Sequence, residues 1–345
     1  MNNLYGKKIF LDNQNSISLV EKLKKNYKDV SMLESVIGGD NKGRFTIIFF
    51  NSLEEIKIYK SHAIENGVEK KFHSHKDYIE SIYNNYQVNI FYKEAIPLPI
   101  IIGNLSFDLC KFTLPKLNYD ENKNTIGIPL AHFVKPKNLI IIDNILNQVH
   151  LIDISNNRNK SIKDIEKLNN IINNEKTNFK NIKVKIFNKK FKPLMSKNSF
   201  LKKVNLIKKE ITKGEIFQAV LSQRFENDYK IDPFNFYRAL RSINPSPYLV
   251  YLNFSEYQII CSSPETMIKV NDDLVTLRPI AGTRKRGKTN EEDEFNKNEL
   301  LNDKKELAEH LMLVDLGRND VGTISQIDSV KVTEKNIVEY YSHVM

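Results

Sequence analysis

Between Tyr248 and Arg278 the chain alternates apolar runs with tight turns, and this pattern constrains the fold more than any other feature. Tyr248–Phe254, Tyr257–Ser262, Thr266–Val270 and Leu274–Arg278 follow one another at hairpin spacing. Runs that short, rich in Val, Ile, Leu and Tyr, are strands, and the brief connections make neighbouring ones antiparallel. Just before them stands Asn244-Pro245-Ser246-Pro247. Its two prolines end the helix expected over Pro233–Ile243, which Asp232 caps and Pro233 opens.

The rest of the chain extends this reading. Helical spacing marks Ile17–Lys25, Lys76–Tyr86, Asn156–Lys180 (apolar at Ile162, Ile165, Leu168, Ile171 and Ile172) and Ser199–Lys213, which Gly214 stops. Strands are expected at Arg44–Phe50, Pro99–Asp108, Phe217–Phe225 and Ser329–Val332. Leu139–Asp143 and Gln148–Asp153 read as a hairpin across Asn144–Asn147, and Ile182, Val184 and Ile186 alternate. Gly38–Gly43 reads as a turn, and Glu292 to Arg318 as the longest helix. Strands in runs with appended helices predict an α+β fold of antiparallel sheets packed with helices. The boundary is placed in Phe191–Ser199, giving an N-terminal domain over 1–192 and a second over 199–345. No dinucleotide-binding or P-loop glycine pattern occurs.

Composition excludes several classes. No apolar run approaches the ~18 residues of a membrane span, and the N-terminus lacks a secretory apolar core. Cys110 and Cys261 are too few for a disulfide framework, which fits a reducing cytoplasm. The net charge of +10 comes from lysines interleaved with Asn and Ile rather than with stacking aromatics, which argues against nucleic acid as partner. It suits an anionic small substrate or an acidic partner subunit.

Three constellations can carry chemistry. Glu306 and Glu309 fall about 4.5 Å apart along one helix face. They are flanked by Asp303, His310 and the apolar Leu307, Ala308, Leu311, Met312 and Val314, which must include a buried face. Hard oxygen ligands without a Cys/His cluster suit Mg²⁺; the same spacing also describes a solvated face shared with Lys304 and Lys305. Glu265 follows Ser262-Ser263-Pro264 at the end of an apolar strand, where it faces a cleft as an acid or merely caps the next segment. In Arg278-Pro279-Ile280-Ala281-Gly282-Thr283-Arg284, Gly282 permits close backbone approach to a ligand carboxylate, although an ordinary loop reads the same way.

Taken in order, GEIFQAVLSQRF, NPSPYLVYLNF, CSSPETMIKV, LRPIAGTRKRG and ELLNDKKELAEHLMLVDLGRNDVG resemble the chorismate-utilising enzymes and, among them, anthranilate synthase component I. The resemblance is nearly continuous from Ile211 to Met345. It is weaker over Ala95–Ile152 and over Met32–Phe49, where MLES and GGDNKGRFTII carry it. It implies conversion of chorismate and ammonia to anthranilate and pyruvate in tryptophan biosynthesis, the ammonia coming from a glutamine amidotransferase subunit. Glu309 matches the family's Mg²⁺ ligand and Glu306 is the nearby helix carboxylate. Glu265 matches the general acid that protonates the departing hydroxyl, while Gly282 and Thr283 match the contacts to the substrate carboxylate.

Isochorismate synthases carry a lysine where Gln218 stands, and aminodeoxychorismate synthases often carry one where Ala281 stands. Neither lysine is present, which points to ammonia as the direct nucleophile; an aminodeoxyisochorismate synthase fits the same pair. Ser35, Pro247, Tyr248 and Leu249 match the family's tryptophan feedback site, in an N-terminal half that departs from the pattern, for instance at Phe49 in place of a family glycine. Past Met345 the resemblance implies a histidine, a second Mg²⁺-binding glutamate, and a Tyr, an Arg and a glycine-rich backbone for the enolpyruvyl carboxylate. On that reading the catalytic domain is incomplete at its C-terminus, and the chain alone is expected neither to turn over nor to fold stably.

Overall fold

The computed structural model describes residues 2–10, 15–35, 43–114, 116–117, 126–175, 190–341 and 343–345. Most of the turn expected at Gly38–Gly43 and the alternating Ile182, Val184 and Ile186 lie outside these residues. The chain divides into two compact units, one formed by 1–178 with 236–345 and the other by 179–235.

In chain order, the first part of the larger unit contains β1 (Asn2–Phe10), α1 (Ser16–Lys24), β2 (Ser31–Glu34), β3 (Phe45–Ile58), β4 (His62–Glu65), β5 (Val68–Lys71), α2 (His75–Asn85) and β6 (Val88–Ile90). After these come β7 (Ile102–Leu105), a 3₁₀ turn at Phe107–Phe112, β8 (Ala131–Asp143), β9 (Gln148–Ser155) and α3 (Arg158–Asn174). The smaller unit holds β10 (Lys192–Pro193), α4 (Lys197–Thr212) and β11 (Phe225–Glu226), and α5 (Pro233–Ile243) leaves it. The larger unit resumes with β12 (Tyr248–Asn253), β13 (Gln258–Ser263), β14 (Lys269–Asn271), β15 (Leu274–Thr276), α6 (Asn290–Asn302) and α7 (Lys304–Gly322).

One large sheet organises the larger unit, in the order β13-β12-β2-β3-β8-β9-β1-β6. Every neighbouring pair along that path is antiparallel except β1 with β6. The expected α+β character is present. The spine is the long β3–β8 pair, running from Phe45 opposite Asp143 to Ile58 opposite Ala131, with a register shift near Ser52. Phe49 sits inside this strand opposite Leu139, and the positive φ falls two residues later on Asn51 (56°). Asparagine tolerates that conformation, and the Asn51 amide donates to Asn138 Oδ1 at 2.8 Å. Leu4, Leu139, Ile141, Ile152, Ile154 and Leu252 bury one face of the sheet.

Sequence-local signals set most helix ends. Asn15, Ser74, Asn157 and Ser196 each accept a backbone N–H in the first turn of α1, α2, α3 and α4. Asn235 N–H donates to Asp232 Oδ1 at 2.8 Å at the start of α5, and Gly214 takes φ +82° after α4. On α3, Ile165, Leu168, Ile171 and Ile172 are buried as expected, while Ile162 is exposed.

Four expectations need correction. The long helix is two, α6 and α7, because Asp303 leaves helical geometry (ψ 110°) and caps α7 by accepting from the Lys305 and Glu306 N–H groups. No side chain of α7 is fully buried, and Leu311 is exposed; periodicity identifies an apolar face but not what packs on it. Phe217–Phe225 and Ser329–Val332 are not strands, apart from Phe225. A strand needs a neighbour's hydrogen bonds, and within the smaller unit only Phe225–Glu226 meets one, at Lys192–Pro193, among the described residues.

Candidate functional site

The hairpin β12–β13 pairs Tyr248 with Ser263 and Asn253 with Gln258. Pro264 ends β13, so Glu265 emerges at the strand edge, exposed, as its position after the apolar strand requires. Its carboxylate Oε1 accepts the Ile280 N–H at 3.1 Å. Glu265 therefore lies against the backbone of the very loop that carries Ala281, Gly282 and Thr283.

The loop in turn lies against α7. A Cβ placed on Gly282 would stand 2.7 Å from Leu300 Cδ1, 2.9 Å from Glu306 Oε2 and 3.1 Å from Glu306 Cβ. Only glycine brings the backbone this close to that carboxylate. Glu306 and Glu309 are both half-buried, and helix geometry sets them about one turn apart. Four of the residues singled out from sequence, Glu265, Ala281, Gly282 and Glu306, thus form one connected patch, with Thr283 exposed beside it and Glu309 one turn along. Gln218 lies in the smaller unit, exposed and outside any helix or strand.

Two arginines that sequence reasoning passed over bracket the loop. Arg284 reaches Asp303 Oδ2 at 2.7 Å, Glu299 Oε1 at 3.2 Å and Glu306 Oε1 at 3.7 Å. Arg278 pairs with Glu339, whose other oxygen accepts the Tyr341 hydroxyl at 2.6 Å; burial pushes that phenol's pKa up, and the Glu339 carboxylate adds to the shift. Their signal was present in the string LRPIAGTR, since charged side chains flanking a glycine-bearing turn are commonly its anchors. The tail closes over the same loop. Arg284 exchanges backbone hydrogen bonds with Met345 at 3.0 and 2.8 Å, Arg286 N–H donates to His343 O, and a His343 ring nitrogen lies 3.0 Å from Ile243 O.

No group of three or more His, Cys, Asp or Glu side chains assembles as a metal cage among the described residues. The donor set on α7 fits a hard divalent cation that takes one or two protein carboxylates and completes its shell with water and substrate oxygens, the habit of Mg²⁺. Gly282 lets the loop backbone pack directly against the Glu306 side chain.

A second cluster forms where β2 meets β12. Leu249 pairs with Glu34, so Ser35 is carried to the strand end beside Pro247 and Tyr248. Pro247 and Leu249 are buried, Tyr248 is exposed, and the Tyr248 hydroxyl contacts Thr266 Oγ1. The Ser35 hydroxyl is buried without a hydrogen-bond partner among the described residues. Sequence reading took Ser35 and missed its neighbour. The Glu34 side chain is 4% exposed and accepts from Arg241 Nε (2.5 Å) and Nη2 (3.2 Å), from the Tyr237 hydroxyl (3.0 Å) and from Ser16. Burial raises the Tyr237 pKa strongly, and the Glu34 charge adds to it.

The sequence profile of chorismate binding enzymes matches residues 34–345, which takes in both clusters. The chain belongs to the chorismate-binding enzyme family. Anthranilate synthase component 1 of Pseudomonas putida is 34% identical over 91% of this chain and 66% of its own length. The same component of Acetivibrio thermocellus is 35% identical over 98% of this chain and 71% of its own. Among solved structures, anthranilate synthase component I from Streptococcus pneumoniae aligns with a TM-score of 0.70 at 30% identity, covering 90% of this chain and 69% of that one. The isochorismate synthase MenF of Escherichia coli shares the fold at a TM-score of 0.55 and only 12% identity. The chain spans about two thirds of the length of these anthranilate synthase relatives.

Proposed function

We propose that this chain contributes the chorismate-aminating site of an anthranilate synthase large component. The observation that carries the reading is the connected patch in which the Glu265 carboxylate meets the Ile280 N–H while Gly282 of the same loop abuts Glu306. These contacts support a reading in which an acid, a carboxylate-binding turn and a metal-holding helix are adjacent.

In this reading Glu309, with Glu306 beside it, holds Mg²⁺, which when bound neutralises the ring carboxylate of chorismate. The Gly282 backbone and the Thr283 hydroxyl hold a carboxylate oxygen. Glu265 donates its proton to the departing hydroxyl as ammonia adds to the ring, and its seat at the loop backbone fixes the direction of that transfer. Gln218 and Ala281 stand where a water-activating or nucleophilic lysine serves other members, so ammonia is the nucleophile. A glutamine amidotransferase subunit supplies it, making the assembly a heteromer. Ser35, Pro247, Tyr248 and Leu249 are the residues of a tryptophan feedback site, where the Ser35 hydroxyl has no hydrogen-bond partner among the described residues. No helix among the described residues is long and apolar enough to cross a membrane.

Anthranilate fluorescence from chorismate, ammonium and Mg²⁺ tests the reading. It should be measured for this chain and for a chimera that adds the unmatched segment of the Pseudomonas putida relative. Signal from the chimera, lost in Glu265→Gln, supports it. Silence from both, with folded protein, refutes it.

A further inference from the structure

We infer that Arg284 is a positioning residue that locks the substrate-carboxylate loop to the metal-holding helix, so that metal and substrate each tighten the other's binding. The inference rests on the reading above.

The backbone of Arg284 is fixed first, by its paired hydrogen bonds with Met345. From that anchor the side chain spans the joint between α6 and α7. Nε meets Glu299 in the last turn of α6, Nη2 meets Asp303, and Nη1 points toward Glu306 and donates to Thr283 O at 3.1 Å. Asp303 divides its two oxygens between two tasks. Oδ1 accepts from the Lys305 and Glu306 N–H groups as the cap of α7, and Oδ2 takes the guanidinium. One planar fork thus connects the loop carbonyl of Thr283, the cap of α7 and the Glu306 carboxylate packed on Gly282.

A lysine ammonium cannot reproduce this, because it offers a point charge where a fork with fixed angles is needed. Without the guanidinium, Glu299, Asp303 and Glu306 face one another uncompensated, and the loop and helix lose their common reference. Each half of the site can still bind its ligand, but neither reports the other's occupancy. By linkage, the factor by which substrate tightens metal binding must equal the factor by which metal tightens substrate binding.

The test is Mn²⁺ binding, followed by electron paramagnetic resonance on the full 345-residue chain with and without chorismate. For the unsubstituted protein chorismate should tighten Mn²⁺ by about tenfold or more, within the usual range of coupling between sites. In Arg284→Met that factor should fall to about two or less, and Arg284→Lys should recover only part of it. Circular dichroism establishes folding for each variant, and a merely structural residue would lower the melting temperature while leaving the coupling factor intact. A folded Arg284→Met with the full factor overturns the inference alone. Should that variant fail to fold, Arg284→Lys decides, since full coupling there overturns it equally. If neither the folded unsubstituted chain nor the chimera described above binds Mn²⁺, the metal reading of α7 falls, and this inference with it.

Discussion

Replacing Glu34 by alanine should destabilise the larger unit more than any single surface substitution. The carboxylate accepts from Arg241, Tyr237 and Ser16, and its side chain is 4% exposed. Removing it takes one acceptor from the fully buried Tyr237 hydroxyl, at a cost of about 1–3 kcal/mol. It also strands the Arg241 guanidinium, which is one-third exposed and so recovers some hydration. Breaking a buried pair from one side usually costs about 3–5 kcal/mol, and the accessible arginine places this case near the lower end. At about 2–4 °C per kcal/mol, the range for folded bodies of about 150–250 residues, a loss of about 3 kcal/mol should lower the melting temperature by about 6–12 °C. Far-ultraviolet circular dichroism melts provide the readout. Tyr237→Phe removes one hydrogen bond and should cost about 1 kcal/mol. Glu34→Met with Arg241→Met should lose much less than the sum of the two single changes, since no uncompensated charge remains. A fall below about 2 °C for Glu34→Ala, or strict additivity in the double variant, would refute the reasoning.

Other outcomes follow from the same contacts. Gly282→Ala forces Glu306 and Leu300 aside; because two of the three close atoms end flexible side chains, stability should drop by only about 1 kcal/mol, the low end for overpacking. Mn²⁺ affinity should nevertheless fall at least about fivefold, and unchanged affinity would separate Gly282 from the site. Asp303→Ala removes the cap of α7 and should cost about 0.5–2 kcal/mol, measured by urea unfolding. Burial alone would raise the pKa of Asp143, but hydrogen bonds from Arg44 (2.9 Å) and from the Leu146 and Ile145 N–H groups outweigh it and hold the carboxyl below its usual value. Such a group adds stability above about pH 4 that is lost as the pH falls through its lowered value. Asp143→Asn should therefore lower stability at neutral pH and flatten the acid limb of the unfolding profile; an unchanged acid limb contradicts this.

What could be read in the sequence follows a physical division. Helix ends announce themselves through local chemistry, so Asp232 starts α5 and Gly214 stops α4 where expected. The β8–β9 hairpin needed only its own alternation and the turn at Asn144–Asn147. Non-local facts were out of reach. Nothing near Phe217 tells whether another strand lies alongside, and nothing near Tyr248 tells that β12 joins the sheet begun by β2 and β3. Asp303 hid the helix break because a carboxylate inside a charged run looks like one more solvated residue until its oxygens are seen holding N–H groups. Glu265 and Glu306, singled out by spacing and resemblance, do meet the same loop. Arg284 and Glu34 were not legible, because their roles lie in partners 15 to 207 residues away in sequence.

The activity proposed for this chain is amination of chorismate with release of pyruvate. It is tested by product analysis by proton NMR after incubating the chimera extended with the unmatched segment of the Pseudomonas putida relative with chorismate, ammonium and Mg²⁺. Anthranilate and pyruvate should appear in equal amounts, and both should be absent in Glu265→Gln. Aminodeoxyisochorismate without pyruvate, isochorismate, or unchanged chorismate from a folded protein would contradict it.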